Sequence, residues 1–386
     1  MSVVDHLERS DAVVPLDDVI AEAQRAFSIC NACRYCEGYC AVFPALERRL
    51  SFTQGDAHYL ANLCHNCGAC LYACQYAPPH EFQLNLVRVL AQVRNETYNT
   101  YAWPRLLASA FARNGVFVSW VTALSIVLTL MFAAWFANPV RFMMAFSDAE
   151  QSFYAIVPHS IMAGVFGAVF AFVVIALIVS ILRFRTATEP RIEASARAAS
   201  ILPAARDAAT LKYLDGGGDG CTYPDAQPSF ARRNFHHLTF YGFLLCFLAT
   251  VVATFDHYVL RWTAPYPYLS VPVLLGTFGG LGLLIGPVGL LALMQRRDPD
   301  LCDPRQRGMD RAFLLLLFAT SLTGLLLLAF RETRAMGALL AIHLGTVMAL
   351  FLTLPYGTFV QGLYRFAALA RFHHERAAPT VNLGSE

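Results

Sequence analysis

The chain of 386 residues is 56% hydrophobic, with a formal net charge of +2 and a mean hydropathy of +0.47. That is too apolar for an ordinary soluble protein. The small net charge hides a segregation: the first hundred residues are polar and charged, while the rest alternates long apolar runs with short basic loops. A membrane protein with one polar domain is expected, with the lipid bilayer and no nucleic acid as its surroundings.

No secretory leader is expected, because Asp5, His6, Glu8, Arg9 and Asp11 break any apolar stretch at the N-terminus. The polar domain should then stay in the cytoplasm, where thiolates remain reduced and available to iron. A weakly amphipathic helix is predicted from Leu16 to Phe27, with Pro15 before it and two acids suited to a helix N-terminus.

Next comes an internal repeat. The stretch CNACRYCEGYC is followed by a spacer of 23 residues and then by CHNCGACLYAC. Eight of the eleven cysteines fall in these copies: Cys30, Cys33, Cys36 and Cys40, then Cys64, Cys67, Cys70 and Cys74. This is the spacing of bacterial iron–sulfur sites, in which three close thiolates wrap one cubane and the fourth serves the other cluster of the pair. It assigns Cys30, Cys33, Cys36 and Cys74 to one [4Fe-4S] cluster and Cys64, Cys67, Cys70 and Cys40 to a second. A proline stands four residues after each fourth cysteine (Pro44 and Pro78), not directly after it as in ferredoxins. Zinc normally takes separated pairs, which leaves the third cysteine of each run unexplained. A disulfide framework suits small exported domains.

Ala45 to Leu63 reads as a helix interrupted at Gly55-Asp56, and apolar residues at Phe82, Leu86, Val89, Leu90 and Val93 predict another from Glu81 to Glu96. His65 and His80 beside the cysteine runs read as hydrogen-bonding or surface residues. The domain should be mostly helical, without the sheet of a small ferredoxin.

Six apolar stretches are each long enough to span a bilayer, at about 116–137, 155–182, 237–260, 270–294, 312–331 and 336–360. Arginine and lysine concentrate in the loops after the second and fourth spans and in the tail; the opposite loops hold only Arg141, Arg261, Arg331 and Arg334. The positive-inside rule then puts both termini in the cytoplasm. The long inner loop at about 183–235 ends in KYLDGGGDGCTYPD, which lacks the Lys-Ser/Thr of a phosphate-binding loop and reads as a flexible turn docking on the cluster domain. Cys221, Cys246 and Cys302 are isolated and read as structural thiols.

Ionisable side chains inside spans are costly and become functional candidates. His159, His257 and His343 stand at comparable height in the outer half, and His236 and His237 at the inner end of the third span. Two uses for His159, His237, His257 and His343 stay open: bis-histidine ligation of haem b between facing helices, or the lining of a quinone pocket. No second span histidine faces the inner pair, where Gln361 stands, so an inner haem would need His373, His374 or another ligand.

The paired cluster motifs, YLDGGGDGCTYPD followed by RRNFHHLTFYGFLLCF, and HLGTVMALFLTLPYGTFVQGLYRFAAL together resemble the tricarballylate-utilisation protein B family, also called the CitB family, from about Ala26 to Ala370. The resemblance implies a membrane iron–sulfur carrier that reoxidises the reduced flavin of an FAD-dependent dehydrogenase acting on tricarballylate, and passes the electrons to the quinone pool. Carried over by residue, it implies the eight cysteines as cluster ligands and the histidines as candidates. The residues alone also point to a wire, because no flavin or nicotinamide fingerprint is present and primary dehydrogenation must occur on a partner. An iron–sulfur redox sensor or a transporter-like protein is the competing class; Asp256 is almost the only carboxylate in the spans, which show no inverted repeat.

The expectation is an all-α protein of the inner (cytoplasmic) membrane, the electron-transfer component of an oxidoreductase. A helical dicluster ferredoxin-like domain (1–110) precedes a six-helix transmembrane, cytochrome-b-like domain (111–365) and a cytoplasmic tail (366–386).

Overall fold

The computed structural model describes residues 16–111, 115–137, 142–143, 152–189 and 194–377; the expectations at Asp5 to Asp11, Arg141 and Arg191 fall outside them. Helix α1 (Leu16–Cys33) runs past the expected Phe27 and carries Cys30 and Cys33 at its end. Its buried Val19, Ala23, Ala26 and Phe27 recur at helical spacing and form one core face. After α2 (Val42–Leu46), the expected break at Gly55-Asp56 falls instead at 47–53, before α3 (Gln54–Leu63). The reason is a capping box. Thr53 Oγ1 accepts from the Asp56 amide and the Asp56 carboxylate accepts from the Thr53 amide, so a helix begins there. The short α4 (Ala69–Tyr72) precedes α5 (Leu86–Tyr101), which starts late because Asn85 caps it by accepting from the Arg88 amide.

From α6 (Arg105–Phe111) the chain enters α7 (Gly115–Ala137). Then come α8 (Ser152–Ile156), α9 (His159–Thr188) and the loop helix α10 (Ala194–Ala209). A two-residue antiparallel pair, β1 (Cys221–Thr222) with β2 (Pro228–Ser229), closes that loop. The bundle continues with α11 (Ala231–Tyr258), α12 (Val271–Gln295), α13 (Arg307–Ala329) and α14 (Met336–Thr353). Among the described residues six helices (α7, α9, α11, α12, α13 and α14) are long and apolar enough to cross a membrane, so the chain is an all-α multi-pass membrane protein. The sixth ends before the expected residue 360: Pro355 lacks a donor and interrupts it, and the chain restarts as α15 (Phe359–Ala377).

Helix α15 packs against α10, and both complete the N-terminal domain: Ala204, Ala368, Leu369 and Phe372 lie in one buried cluster with Phe27, Leu46, Leu60 and Leu90. An ion network tightens this seam. Arg49 pairs with Asp56 at 2.8 Å and with Glu375; Arg371 pairs with Asp56 at 3.1 Å and with Glu375 at 2.7 Å. The Arg371 guanidinium also lies 4.0 Å from the Tyr59 ring centre and donates to the Thr188 carbonyl at the end of α9. The cluster domain is thereby attached to one end of the bundle.

Within the bundle, α11 and α12 touch along their length through glycines at three- and four-residue intervals. A Cβ at Gly279 would stand 2.8 Å from the Cys246 amide nitrogen, and one at Gly282 would stand 2.9 Å from the Leu238 carbonyl. Lipid offers no hydrophobic drive for association, so close backbone approach through small residues supplies it. Gly286→Ala places its methyl 2.7 Å from the Thr239 amide nitrogen and 2.9 Å from the Phe235 carbonyl. Backbone atoms there have nowhere to go, and a loss of about 1–3 kcal/mol is expected on thermal unfolding in detergent. Gly167→Ala, whose methyl meets nothing within 4 Å, should leave the transition unchanged or slightly raised.

Candidate functional site

Cys30 and Cys33 end α1, Cys36 and Cys40 lie in the turn after it, Cys64 is the C-cap of α3, and Cys70 sits in α4. Burial pushes the Cys30 thiol up to about 12, and the neighbouring Cys74, Cys36 and Cys33 add to it. Cys36 is likewise pushed up to about 12 by burial, then by Cys74 and Cys33. Cys40, raised mainly by burial, has Cys67 and Cys64 as its strongest charged neighbours. Cys70, raised the same way, has Cys67, Cys64 and Cys40. The structure thus brings the eight cysteines together, with Cys30, Cys33 and Cys36 beside Cys74, and Cys40 beside Cys64 and Cys67, while Cys36 and Cys70 adjoin both sets. Four ionised thiols around one space repel unless a polycationic core lies among them.

Among the described residues, no three His, Cys, Asp or Glu side chains converge as ligands of a single metal ion do. Cys30, Cys33, Cys36, Cys70 and Cys74 instead line a cavity of about 30 Å³. Donors spread around a space suit a cubane, whose thiolates attach to separate iron atoms. The groups also differ in depth. The first is half-buried beside Tyr35, which is 68% exposed; of the second, Cys64 and Cys67 are 7% and 8% exposed while Cys40 and Cys70 are half-buried.

The loop that carries the glycine triplet docks on the second group. Gly68 has φ +87°, and a side chain there would strike the Thr222 carbonyl. Gly217 lies against Tyr39 and Gly38 in the same way. This close approach brings the fully buried Cys221 to Cys67. A side-chain hydrogen bond between them draws Cys67 down to about 7 and raises Cys221. Cys221 and Cys67 lie in one buried cluster, which sets the Cys221 thiol beside the Cys67 sulfur. Cys221 is isolated in sequence, and the run of glycines before it was the available signal: backbone that must approach another backbone closely needs residues without a Cβ.

Three arginines from three parts of the chain converge on the Cys64–Asn66 segment. Arg94 of α5 donates to the carbonyls of Cys64 (3.0 Å) and Ala61 (3.3 Å) and to Asn66 Oδ1 (3.5 Å). Arg365 of α15 donates to the Cys64 carbonyl at 2.8 Å, and Arg232 of α11 to the Asn66 carbonyl. Burial draws Arg365 down to about 10, with Arg94 as the strongest charge opposing it. Asn66 Nδ2 donates to the Leu301 carbonyl at 2.6 Å. His65 is buried and kept neutral, foremost by burial, with Nδ1 3.1 Å from the Leu63 carbonyl; His80 Nδ1 accepts from the Phe82 amide.

Below this segment lies a cavity of about 570 Å³, between the cluster domain and the ends of α11, α12, α13 and α15. Its rim holds Asn66, Arg94, Arg232, Arg297 and Arg365; deeper in stand His236, Asp310, Phe240, Phe243, Phe313 and Leu317. None of these except His236 and the flanking arginines stood out in the sequence.

The other histidines lie elsewhere. At the far end of the bundle the His159 and His257 rings stack, with centroids 3.9 Å apart and planes 22° apart, beside Tyr154 and Tyr258. His343 does not join them. Its Nδ1 lies 3.1 Å from Thr323 Oγ1, and it packs on Gly324 of α13. His237 stands at the start of α11 beside Tyr241, with a buried Nε2 that has no partner. As donors, His159 and His257 suit a haem iron, and the Nδ1 of His257 is buried without a partner. The spacing does not suit it: 3.9 Å between stacked rings leaves no room for a macrocycle.

Two family models match the chain: the citrate utilization protein B Fer4-like domain over residues 23–100, and citrate utilization protein B over residues 116–382. The chain is 52% identical over 357 residues to the Escherichia coli protein named citrate utilization protein B, with 92% of each chain covered. No solved structure matches it.

The arginine convergence generates an expectation. Arg94→Met takes the side-chain donor from the Ala61 carbonyl and one of two from the Cys64 carbonyl, which keeps Arg365, at about 1–3 kcal/mol for a buried group left unpaired. Thermal unfolding in detergent should show that loss, with less iron retained after purification, and Arg94→Lys should recover part of both.

Proposed function

Since the chain belongs to the citrate utilization protein B family, we propose that it is a membrane electron carrier between a dehydrogenase and quinone. It reoxidises the reduced flavin of a partner FAD-dependent dehydrogenase acting on a polycarboxylate, citrate or tricarballylate, and delivers the electrons to the quinone of the inner membrane. The observation that carries this is the difference in depth between the two cysteine groups. The half-buried first group lies beside the exposed Tyr35, within reach of a soluble partner; the buried Cys64 and Cys67 of the second flank Asn66, which lines the cavity at the end of the bundle. A sensor needs no such ordering.

In this proposal Cys30, Cys33, Cys36 and Cys74 hold the entry cluster, and Cys40, Cys64, Cys67 and Cys70 hold the exit cluster. Bound there, each [4Fe-4S] cluster supplies a one-electron carrier, so the two-electron flavin can be oxidised in single steps. The protein's own groups set the driving force. Hydrogen bonds to ligand sulfur favour the more negative reduced state and raise the potential. Cys221 provides one at Cys67, the Asn66 amide another at Cys64 (3.3 Å), and Gln75 Nε2 a longer one at Cys33 (3.7 Å). Arg94, Arg232 and Arg365 add positive charge beside the exit group. The arginine-rich loops support a cytoplasmic side for this domain and both termini. Haem b does not fit between His159 and His257 as they stand, His237 and His343 each stand apart from them, and no step passes through it.

The test uses the anaerobically purified, cluster-loaded protein with a reduced flavoprotein dehydrogenase and decylubiquinone. The intact protein should oxidise the flavin and reduce the quinone in equal amounts. Cys33→Ser should stop flavin oxidation, whereas Cys67→Ser should block quinone reduction and leave the entry cluster reducible. Flavin oxidation that survives both changes would sink the proposal. A dithionite-reduced minus oxidised spectrum decides the haem: a cytochrome b band lost in His159→Ala and His257→Ala places it there, and iron–sulfur bleaching alone removes it. Separately, Cys221→Ala should lower the potential of one cluster by roughly 50 mV, about 1 kcal/mol for one electron, in an EPR-monitored redox titration.

A further inference from the structure

We propose that the 570 Å³ cavity between the Cys64–Asn66 segment and the inner ends of α11, α12 and α13 is where the membrane quinone is reduced. This rests on the quinone assignment above and adds its place and its proton donors. The volume is that of a small-molecule site, and the lining is divided as an isoprenoid quinone is. The rim under the exit cysteines is polar, formed by Asn66, Arg232 and Arg365, and the depth toward the bilayer is apolar, formed by Phe240, Phe243 and Leu317. Headgroup and tail each find a matching surface.

The same lining disfavours other occupants. A soluble polycarboxylate would find partners only at the rim, because the deeper lining of Phe240, Phe243, Phe313 and Leu317 offers its carboxylates none. A bis-histidine haem needs two imidazoles, and His236 is the one histidine among the described lining residues. Reduction of a quinone takes two electrons and two protons, turning each carbonyl oxygen into a hydroxyl. The electrons arrive singly from the Cys64 side. One proton comes from Asp310, which lines the deeper wall, and rim water then restores it. The other comes from cytoplasmic water at the rim, relayed by the neutral imidazole of His236, which accepts at one nitrogen as it donates from the other. Asp310 is held in place by the Thr358 hydroxyl at 2.9 Å and the Gln306 amide at 3.3 Å.

Gly362 provides the test. It lies in the cavity wall, and a Cβ there meets nothing within 4 Å, so the side chain of Gly362→Trp starts in open space and brings its bulk to the cavity. The variant should keep both cluster EPR signals and its rate with ferricyanide, while the KM for decylubiquinone rises at least tenfold. Photolabelling by an azidoquinone, expected on peptides at the start of α11 and α13, should be lost. Gly164→Trp, on α9 with equally open space, should change KM less than twofold. Asp310→Asn should lower kcat and flatten its pH profile with little change in KM. An unchanged KM in Gly362→Trp, with labelling undiminished or near His159 and His257, overturns the assignment while quinone reduction itself stands. Loss of a cytochrome b band in that variant would give the cavity to haem and overturn it as well. If the unmodified protein, once reduced, passes electrons to ferricyanide and not to decylubiquinone, the quinone function fails, and the cavity's role with it.

Discussion

Three guanidinium groups meet at the backbone of Cys64 and Asn66, and most of the architecture follows from keeping them there. Buried charge is tolerated only where it is paired or fully hydrogen-bonded. Here the partners are carbonyl dipoles of a cysteine loop, and no carboxylate is among them. Like charges so close oppose one another, which is why burial and Arg94 both act against protonated Arg365. Such a cluster of cations is comfortable beside ionised sulfur. The arginines and the cysteine groups thus balance each other across the Cys64–Asn66 segment, and each would be costly alone.

Because those arginines come from α5, α11 and α15, the same point joins the polar domain, the third membrane helix and the C-terminal helix. The Arg49, Asp56, Arg371 and Glu375 network repeats this on the other side of α3. Removing one member of such a network leaves an uncompensated charge, so the network specifies one docking geometry more than it adds stability. Electron transfer rewards this, since its rate falls steeply with distance. The glycine-rich loop serves the same end: its left-handed residues Gly216, Gly217 and Gly220 let the chain turn tightly and seat Cys221 at the sulfur of Cys67.

The cysteine repeat, the six spans and the helical character were legible because each is periodic within a short stretch. Boundaries were less so. The Thr53 capping box starts a helix where Gly55 suggested a break, and Pro355 stops one that apolar composition would have continued. What stayed hidden was long-range. Arg94, Arg232 and Arg365 are ordinary basic residues in sequence, separated by more than a hundred positions each, and only the fold brings them to one segment. Ala368 and Phe372 read as tail, yet they fill the core of the N-terminal domain, because the amphipathic α15 needed an apolar partner and the bundle did not supply it. Cys221 looked inert because a hydrogen bond to a distant sulfur leaves no local pattern.

The membrane histidines show where helix position alone misleads. Counting residues puts His159, His257 and His343 at one height, but height is shared by every face of a helix. His343 turns toward α13 and its Thr323 hydroxyl, while His159 and His257 face each other. From His236 to His257 is 21 residues of one helix, about 30 Å along the axis. In the proposed path, electrons leaving the Cys64 group thus meet the cavity beside it first, and reaching His159 and His257 would require crossing most of the bilayer. Reduction of quinone at the inner face needs none of the outer histidines. A centre held by them serves a crossing of the membrane, a separate task from oxidising a cytoplasmic flavin.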